Sequence, residues 1–291
     1  MTGRLAGVTT VSFDFGNTLV PVGRDALRRV VELTADGVVG DDPSIDRDAF
    51  LAAWVDERER QFRQNVPQFR EVDIGERLVR VFARLRGMSP PGPDEAWDVE
   101  RAAALSQPGE IERALDRYSR AFVDGLPPAT GVDRLLEQLA GEGRTLAILS
   151  NWPLAVTIDR YAEARGWTRH LAAIVVSERV GVIKPHPAFF AAAWSAIGRP
   201  DPAGILHVGD DWAADVVGAA DAGWRTAWIA DRPSDSPLPS SSPDADRRAD
   251  LTLDAVADLA DRLAPLDATH AAPAPAVLPG TVGTAGEGRG P

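Results

Sequence analysis

The feature that most limits how this chain can fold is a repeated alternation of apolar runs and amphipathic segments after Pro127-Pro128. Apolar runs of strand length are separated by segments of helix length that end at a glycine. Strands of this length that alternate with helices predict an α/β fold with a doubly wound, parallel, Rossmann-like sheet. The predicted strands are Thr145–Leu149, Ala172–Val176, Ile205–Val208, Thr226–Ile229 and a short one near 249–253.

The first strand of this sheet is separated from the others by about a hundred residues that resemble no strand. Residues Val8–Phe13 are β-branched and aromatic, and they run directly into Asp14. Between Asp25 and Phe122, apolar residues recur at helical spacing, and proline or glycine breakers divide the stretch into four or five predicted helices. Helices inserted at this point are expected to lie above the carboxyl ends of the strands, where open α/β sheets bind ligands.

These patterns predict two domains and a tail. Residues 1–22 and 126–265 are expected to form the Rossmann-like core, with residues 23–125 inserted as a helical cap domain. The stretch Pro233–Asp246 is rich in serine, proline and aspartate and predicts a loop or mobile turn. Residues 266–291 contain little that a core could bury and predict a disordered tail.

Composition excludes several classes of protein. With 43 acidic and 31 basic residues the net charge is -12, which does not favour binding to nucleic acid or to an anionic membrane. The chain has no cysteine, so disulfides, thiol catalysis and thiolate metal sites are excluded. It has no apolar run of the roughly 20 residues that span a bilayer, and no signal-peptide pattern. We therefore expect a cytoplasmic monomer or homodimer that acts on a small molecule.

Polar residues gather at four places just past the ends of apolar strands. A doubly wound sheet brings such places to one edge, so we expect the four clusters to meet. Each cluster alone is typical of a turn, a helix cap or solvated surface, and it is the ordered set that indicates chemistry. The clusters are Asp14-Phe15-Gly16-Asn17-Thr18, Ser150-Asn151, Lys184-Pro185, and Gly209-Asp210-Asp211 with Asp215.

Together these clusters contain the groups that phosphate chemistry needs. A carboxylate and a phosphate dianion repel each other, and Mg²⁺ with oxygen ligands is the usual cation that offsets this repulsion. Asp14, Asp210 and Asp215 could supply the carboxylates, and Lys184 a further positive charge. Ser150 and the backbone amides of the turn after Asp14 could donate hydrogen bonds to phosphoryl oxygens.

In their order and spacing these motifs resemble the haloacid dehalogenase (HAD) superfamily, from residue 8 to about residue 265. The resemblance implies a hydrolase, and the inserted helices resemble the family's first class of cap, which closes over the site and selects the substrate. The strings that carry the resemblance are Phe13-Asp14-Phe15-Gly16-Asn17-Thr18-Leu19, Leu149-Ser150-Asn151, Ile183-Lys184-Pro185-His186-Pro187 and His207-Val208-Gly209-Asp210-Asp211.

The resemblance also implies roles for individual residues. Asp14 would be the nucleophile, forming an aspartyl-phosphate with a small phosphorylated metabolite. The implied catalytic residues are Asp14, Lys184 and Ser150. The implied magnesium ligands are Asp14, the carbonyl of Gly16, Asp210 and Asp215, with Asp211 as an alternative to Asp215. The implied substrate-binding residues are Thr18, Asn151 and Trp152, of which Trp152 could stack on the substrate or pack against the cap.

Gly16 departs from the family pattern, which usually has a second aspartate there as general acid and base. Such catalysis is typically worth about 10²–10⁴-fold in rate. The chain could therefore be a phosphatase that uses another acid or water, a dehalogenase with Arg24 or Arg28 gripping its substrate, or a silent phospholigand-binding or regulatory protein. A carbon–phosphorus hydrolase usually has a cap lysine, and there is no lysine between Asp25 and Phe122.

Several further residues have a structural and a functional interpretation. His186 could face the site or shape its turn, and Trp212 could line the floor of the site or pack under the next helix, of which packing is expected. His207 is expected to be a satisfied core histidine. The cap arginines are expected mostly to form solvated ion pairs, although one or two could reach the substrate. These arginines are Arg58, Arg60, Arg63 and Arg70.

Overall fold

A six-stranded parallel sheet forms the centre of the computed structural model, which describes residues 5–89, 104–244 and 246–266. The strand order is β3-β2-β1-β4-β5-β6, so the chain winds outwards in both directions from β1. This is the doubly wound arrangement, and it confirms the predicted α/β fold class. The strands are β1 Thr10–Phe13, β2 Thr145–Ser150, β3 Leu171–Val176, β4 Ile205–Gly209, β5 Arg225–Ile229 and β6 Leu251–Leu253.

The register of the three central strands places the polar residues that follow them at the same end of the sheet. Phe13 of β1 lies opposite Ile148 of β2 and Val208 of β4. The next residue, Asp14, leaves the sheet between the carboxyl ends of these two strands, and its amide donates to the Val208 carbonyl at 2.8 Å. The polar clusters therefore meet at one sheet edge.

Helices dominate the segment between β1 and β2, as predicted. Their lengths follow from the apolar spacing and from acidic caps, with the Asp46 and Asp73 side chains accepting from backbone amides at the starts of α2 and α3. An aromatic stack formed by Phe50, Trp54 and Tyr118 holds the segment together. Within the described ranges the helices here are α1 Arg24–Asp41, α2 Arg47–Asn65, α3 Ile74–Leu85 and α4 Glu110–Gly125.

The remaining helices cover both faces of the sheet. Side chains alternate between the faces along β2, so Leu146 and Ile148 join one apolar cluster while Ala147 and Leu149 join another. A π-helical turn at Trp212–Val217 leads into α9. These helices are α5 Val132–Gly141, α6 Ala155–Ala164, α7 Ser177–Val180, α8 Pro187–Ala196, α9 Gly218–Asp221 and α10 Leu259–Arg262.

The helical segment contacts the core near the sheet edge. The Ile183 amide donates to the Phe69 carbonyl at 3.0 Å, and Phe122 of α4 packs against Trp152, which follows β2. The domain boundaries at residues 22/23 and 125/126 remain predictions. Apart from Leu266, the predicted tail lies outside the described residues. None of the helices in the described ranges has the length and apolar character needed to cross a bilayer.

Candidate active site

Lys184 lies at the centre of the polar edge of the sheet. Its Nζ donates to Asp14 Oδ1 at 2.8 Å, to Asp215 Oδ1 at 2.7 Å and to the Leu149 carbonyl at 2.8 Å. Three acceptors match the three donors of an ammonium group. Burial disfavours the charge, but the two carboxylates outweigh it and raise the pKa of Lys184. The lysine is therefore a fixed positive charge between the two carboxylates.

Three buried carboxylates converge beside this lysine. Asp14, Asp210 and Asp215 each offer an oxygen, and these oxygens lie within 4.8 Å of one another. Burial raises the pKa of Asp14 to about 7 and, together with repulsion from Asp14 and Asp215, that of Asp210 to about 8. Burial also opposes the ionisation of Asp215, but Lys184 and His207 outweigh it and keep its pKa below the usual range. Like charges so close together favour a bound cation.

Asp215 is held on both of its oxygens. His207 Nε2 lies 3.1 Å from Oδ1, and the Asp211 amide donates to Oδ2 at 3.0 Å. The His207 Nδ1 lies 2.9 Å from Ser12 Oγ, so this core histidine, as predicted, is satisfied, and it also orients Asp215. A Cβ on Gly209 would lie 2.2 Å from the Asp215 carboxyl carbon, so only glycine permits this close approach.

Asp211 lies outside the three-carboxylate cluster. Its Oδ1 accepts from the Ala214 amide at 2.8 Å, which caps the turn at Trp212, and from Ser241 Oγ at 2.7 Å. Asp215 rather than Asp211 lies with Asp14 and Asp210, and which of the two assists a metal stays a prediction.

Lys184 was predicted to lie just past a strand end, but it lies in the loop that follows β3 and α7. This loop is fastened to the end of β2 by Asn151. The Lys184 amide donates to Asn151 Oδ1 at 2.7 Å, and Asn151 Nδ2 donates to the Lys184 carbonyl at 3.0 Å. Asn151, predicted to bind substrate, therefore uses its amide to position the lysine. Ser150 is buried beside it, and Thr18 Oγ1 is buried without a hydrogen-bond partner in the described part of the chain.

The turn after Asp14 depends on Asn17, which adopts a left-handed conformation with a φ of 60°. Its Oδ1 accepts from the Val22 amide at 3.1 Å, while Nδ2 approaches Asp210 Oδ2 at 3.4 Å and Ser236 Oγ at 3.0 Å. Asparagine tolerates this conformation because its short side chain can bond locally. Asn17 thus links the first and fourth polar clusters, a role that the sequence did not indicate.

Residues 232–241, here called the covering loop, lie over the site. Arg232 NH1 is 3.0 Å from Asp210 Oδ2, and its NH2 donates to the Leu238 carbonyl. A Cβ on Gly16 would lie 2.7 Å from Leu238 Cδ1, so this leucine fills the space beside the position where the family usually has its second aspartate. The sequence indicated only a loop here, because the contacts that place it over the site are with residues outside the loop, such as Gly16 and Asp210.

The aromatic and histidine residues with two interpretations now have defined surroundings. The Trp152 ring packs against Phe15 and Phe122 with centroids 5.8 and 5.0 Å away, and it also forms part of the cavity wall. His186 Nδ1 accepts from an amide at the start of α8, which is the turn role. Trp212 is buried and packs edge-on against Trp228 of β5, whereas the prediction had placed it under the next helix.

Two adjoining cavities open at this edge of the sheet. The smaller, of about 90 Å³, contacts Asp14, Gly16 and the acidic cluster. The larger, of about 610 Å³, extends under the helical segment and is lined mainly by apolar and aromatic side chains. The two share several wall residues, and a molecule could span both. The shared residues include Asn151, Trp152, Lys184, Asp211 and Leu238.

Comparison with known proteins assigns the class of protein that this fold and site define. A sequence model of the haloacid dehalogenase-like hydrolases matches residues 8–223. The match covers most of the chain, and the chain belongs to this family of hydrolases. The resemblance seen in the motifs is thereby confirmed.

Two curated relatives are phosphatases. Pyrimidine 5'-nucleotidase YjjG of Escherichia coli (strain K12) is 31% identical over 138 residues, which cover 47% of this chain and 58% of that protein. Phosphoserine phosphatase of Thermus thermophilus is 31% identical over 148 residues, which cover 50% of this chain and 55% of that protein. The matched stretches span little more than half of either relative.

Solved structures extend the likeness of the fold over nearly the whole chain. A 2-haloacid dehalogenase from Pseudomonas syringae superposes with a TM-score of 0.57 at 20% identity, covering 88% of this chain and 97% of that one. The putative HAD-hydrolase YfnB from Bacillus subtilis, bound to magnesium, gives a TM-score of 0.55 at 18% identity, covering 88% and 98%. These identities show a shared fold and no more.

Proposed function

We propose that this protein is a magnesium-dependent phosphomonoester hydrolase that acts on a small phosphorylated metabolite in the cytoplasm. The observation that supports this most directly is the convergence of three buried carboxylates within 4.8 Å of one another, with Lys184 bridging two of them. The three carboxylates could hold a divalent cation, and that cation together with Lys184 would supply the positive charge that phosphoryl transfer to a carboxylate needs beside the nucleophile.

The donor set fits Mg²⁺. The side chains of Asp14, Asp210 and Asp215 offer only oxygen, and Gly16 lines the same small cavity. Hard divalent cations prefer such oxygen ligands. When bound, the ion supplies positive charge that offsets repulsion between the nucleophile and the phosphate.

The proposed chemistry follows from what the residues of this chain hold in place. Lys184 fixes Asp14 through Oδ1, and we propose that Oδ2 attacks phosphorus, which forms an aspartyl-phosphate as the leaving alcohol departs. Ser150 and the buried hydroxyl of Thr18 are proposed to donate to the phosphoryl oxygens. Because Gly16 carries no acid, water is proposed to protonate the leaving oxygen. Water then hydrolyses the acyl phosphate and regenerates Asp14.

Phosphate release from a panel of esters tests the proposal. The panel contains para-nitrophenyl phosphate, pyrimidine nucleotides, phosphoserine and sugar phosphates, each assayed with Mg²⁺ and with EDTA. We expect release only with the metal, and a loss of at least about 10³-fold in Asp14→Asn, as for other nucleophile variants. Asp48→Asn, whose side chain is 93% exposed on α2, is the matched control and should keep wild-type activity.

Two added measurements separate this proposal from its alternatives, a dehalogenase and a silent phospholigand-binding protein. A dehalogenase should release halide from a halogenated acid in EDTA, without phosphate release from the panel. A silent binding protein should show a Mg²⁺-dependent rise in melting temperature and no release from any ester. Wild-type activity in Asp14→Asn would contradict the proposed mechanism in every form.

A further inference from the structure

The larger cavity contains a buried cation that the proposed chemistry does not use. Arg77 of α3 is 4% exposed and lines the cavity, which reaches Lys184 at its other end. Its Nε donates to Gln61 Oε1 at 3.0 Å, and its guanidinium lies 4.9 Å from the Trp54 ring centroid. Among the described residues neither terminal nitrogen of Arg77 has a hydrogen-bond partner, and no carboxylate is within ion-pair distance.

Among the described residues two other arginines are as deeply buried, and both are paired. Arg80 is 3% exposed and lies 3.1 Å from Glu76, and Arg144 is 4% exposed and lies 3.1 Å from Glu142. Buried charges in proteins are normally compensated in this way, because an unpaired charge loses its hydration without replacement. Arg77 is the exception, and it lies at a cavity wall, where a ligand can supply the missing negative partner.

In the described part of the chain, the carboxylates near Arg77 do not pair with it. Burial, with a smaller contribution from Arg58, lowers the pKa of Arg77 to about 10, while Tyr118, Asp73 and Glu71 act in the opposite direction. Glu71 is already engaged, since its two oxygens accept from the Val72 amide and from Ser177. The hydroxyl of Tyr118, also on the cavity wall, has no hydrogen-bond partner in the described ranges.

We propose that the larger cavity receives a leaving group with an apolar, aromatic-sized body and a terminal carboxylate, and that Arg77 pairs with this carboxylate. This inference rests on the proposed function, since it places the phosphate of the same molecule beside Asp14. The walls fit such a body, with Trp54, Val72 and Tyr118 around Arg77 and a cavity of about 610 Å³. The planar guanidinium matches a carboxylate through two parallel hydrogen bonds.

A single negative charge fits this end of the cavity better than a second phosphate dianion does. Glu71, which lines the cavity and acts on Arg77, would repel a second negative charge at this end, whereas Glu32 and Glu59 share the cavity wall with the cations Arg24, Arg28 and Arg58. Arg58, the nearest further cation, is partly engaged because its NH2 donates to the Pro237 carbonyl at 3.1 Å.

The test compares carboxylates with carboxamides of the same shape, which differ only in charge. The substrates are para-carboxyphenyl, para-carboxymethylphenyl and para-carboxyethylphenyl phosphate and their three carboxamides. For the best-fitting length we expect kcat/KM of the carboxylate to exceed that of the carboxamide by at least about tenfold, as for a hydrogen-bonded charge. In Arg77→Met this ratio should fall towards one, mainly through a higher KM for the carboxylate.

Two further variants separate recognition from folding. Arg77→Lys should keep part of the preference, because it retains the charge but loses the two-pronged geometry. Arg29→Met, on an exposed face of α1 with a side chain 62% exposed, should keep the full ratio. If Arg77→Met does not fold, as judged by circular dichroism, the wild-type ratio and Arg77→Lys decide. A wild-type ratio near one or below at every length overturns the proposal.

Failure of the proposed function would be visible separately. If the wild type releases phosphate from neutral esters but shows no preference for carboxylates, only the substrate inference fails. If it releases phosphate from nothing, calorimetric titration with para-hydroxyphenylacetate and para-hydroxyphenylacetamide still tests the cavity. Binding of the carboxylate alone, lost in Arg77→Met, would support the inference, and equal or absent binding of both would overturn it.

Discussion

Lys184 in the sheet edge and Arg77 under the helical segment are both almost fully buried cations, yet their surroundings differ completely. Every donor of Lys184 has an acceptor within 2.8 Å, and two of these acceptors are carboxylates. Arg77 has one hydrogen bond from Nε, an aromatic neighbour and an open cavity. The first cation is held by the protein itself, and the second has room for a partner from outside.

This difference matches what each region has to do. A reaction centre benefits from groups that are already in place, since no reorganisation is then needed when charge develops. A specificity pocket discriminates by leaving a polar group unsatisfied unless the right ligand arrives. Buried charge is costly in both regions, but only in the second is its compensation left to the substrate.

Replacing each of the two cations with methionine tests this comparison most directly. Lys184→Met strands the carboxylates of Asp14 and Asp215, and removing one partner of a buried pair costs about 3–5 kcal/mol of unfolding free energy. Arg77→Met strands no carboxylate and should cost less than about 2 kcal/mol. Urea unfolding of the metal-free proteins measures both.

Arg63→Met is the surface control, because its side chain is 72% exposed and 3.6 Å from Glu59. It should change the unfolding free energy by no more than about 1 kcal/mol. Equal losses in the two buried variants would show that Arg77 is as fully compensated as Lys184, contrary to the comparison.

The acidic cluster should make magnesium binding depend on pH. The pKa values of Asp14 and Asp210 are raised from 3.8 to about 7 and about 8, so the stability that they contribute to the metal-free protein is present at low pH and lost as pH rises through these values. Magnesium needs both groups ionised. The Mg²⁺-induced rise in melting temperature should therefore grow from about pH 6 to about pH 9.

Asp210→Asn removes one of the two titrating groups and should flatten this dependence as well as weaken the binding. A magnesium effect that stays constant across the same pH range in the wild type would mean that neither carboxyl takes up a proton there.

The smallest effect concerns the covering loop. Gly16→Ala places a methyl group 2.7 Å from Leu238 Cδ1, and because the leucine side chain can turn aside we expect a loss of only about 1 kcal/mol. In a Leu238→Ala background the same change should cost less. A double-mutant cycle from urea unfolding measures this coupling.

Gly40→Ala is expected to change the stability in the opposite direction. A Cβ on Gly40, in α1, meets nothing within 4 Å, and alanine in a helix should stabilise the protein by about 1 kcal/mol.

Additive effects of Gly16→Ala and Leu238→Ala would show that the covering loop does not rest on Gly16 in solution.

Much of the sheet edge could be predicted because its signals are local. Val8–Phe13 is buried and runs into Asp14, and the strands before Ser150 and Asp210 end within a residue or two of the predicted positions. In a parallel sheet the carboxyl ends of neighbouring strands must meet, so residue order alone predicted that these side chains gather.

What lies above that edge could not be predicted in the same way. The covering loop has no regular pattern, and its contacts with Asn17 and Gly16 join residues about 220 positions apart along the chain. The sequence motif alone does not distinguish Asp211 from Asp215. In the structure, His207 and Lys184 bond to Asp215.

The sequence by itself determined the fold class, the family and the polar groups at the strand ends, since strand periodicity and strand-end chemistry are properties of short segments. Only the tertiary structure decided which carboxylates share a site, which loop covers it and which deeply buried arginine among the described residues has no carboxylate partner. Compensation of a buried charge depends on every element packed around it, and in this chain α2, α3 and α4 together isolate Arg77 beside the cavity.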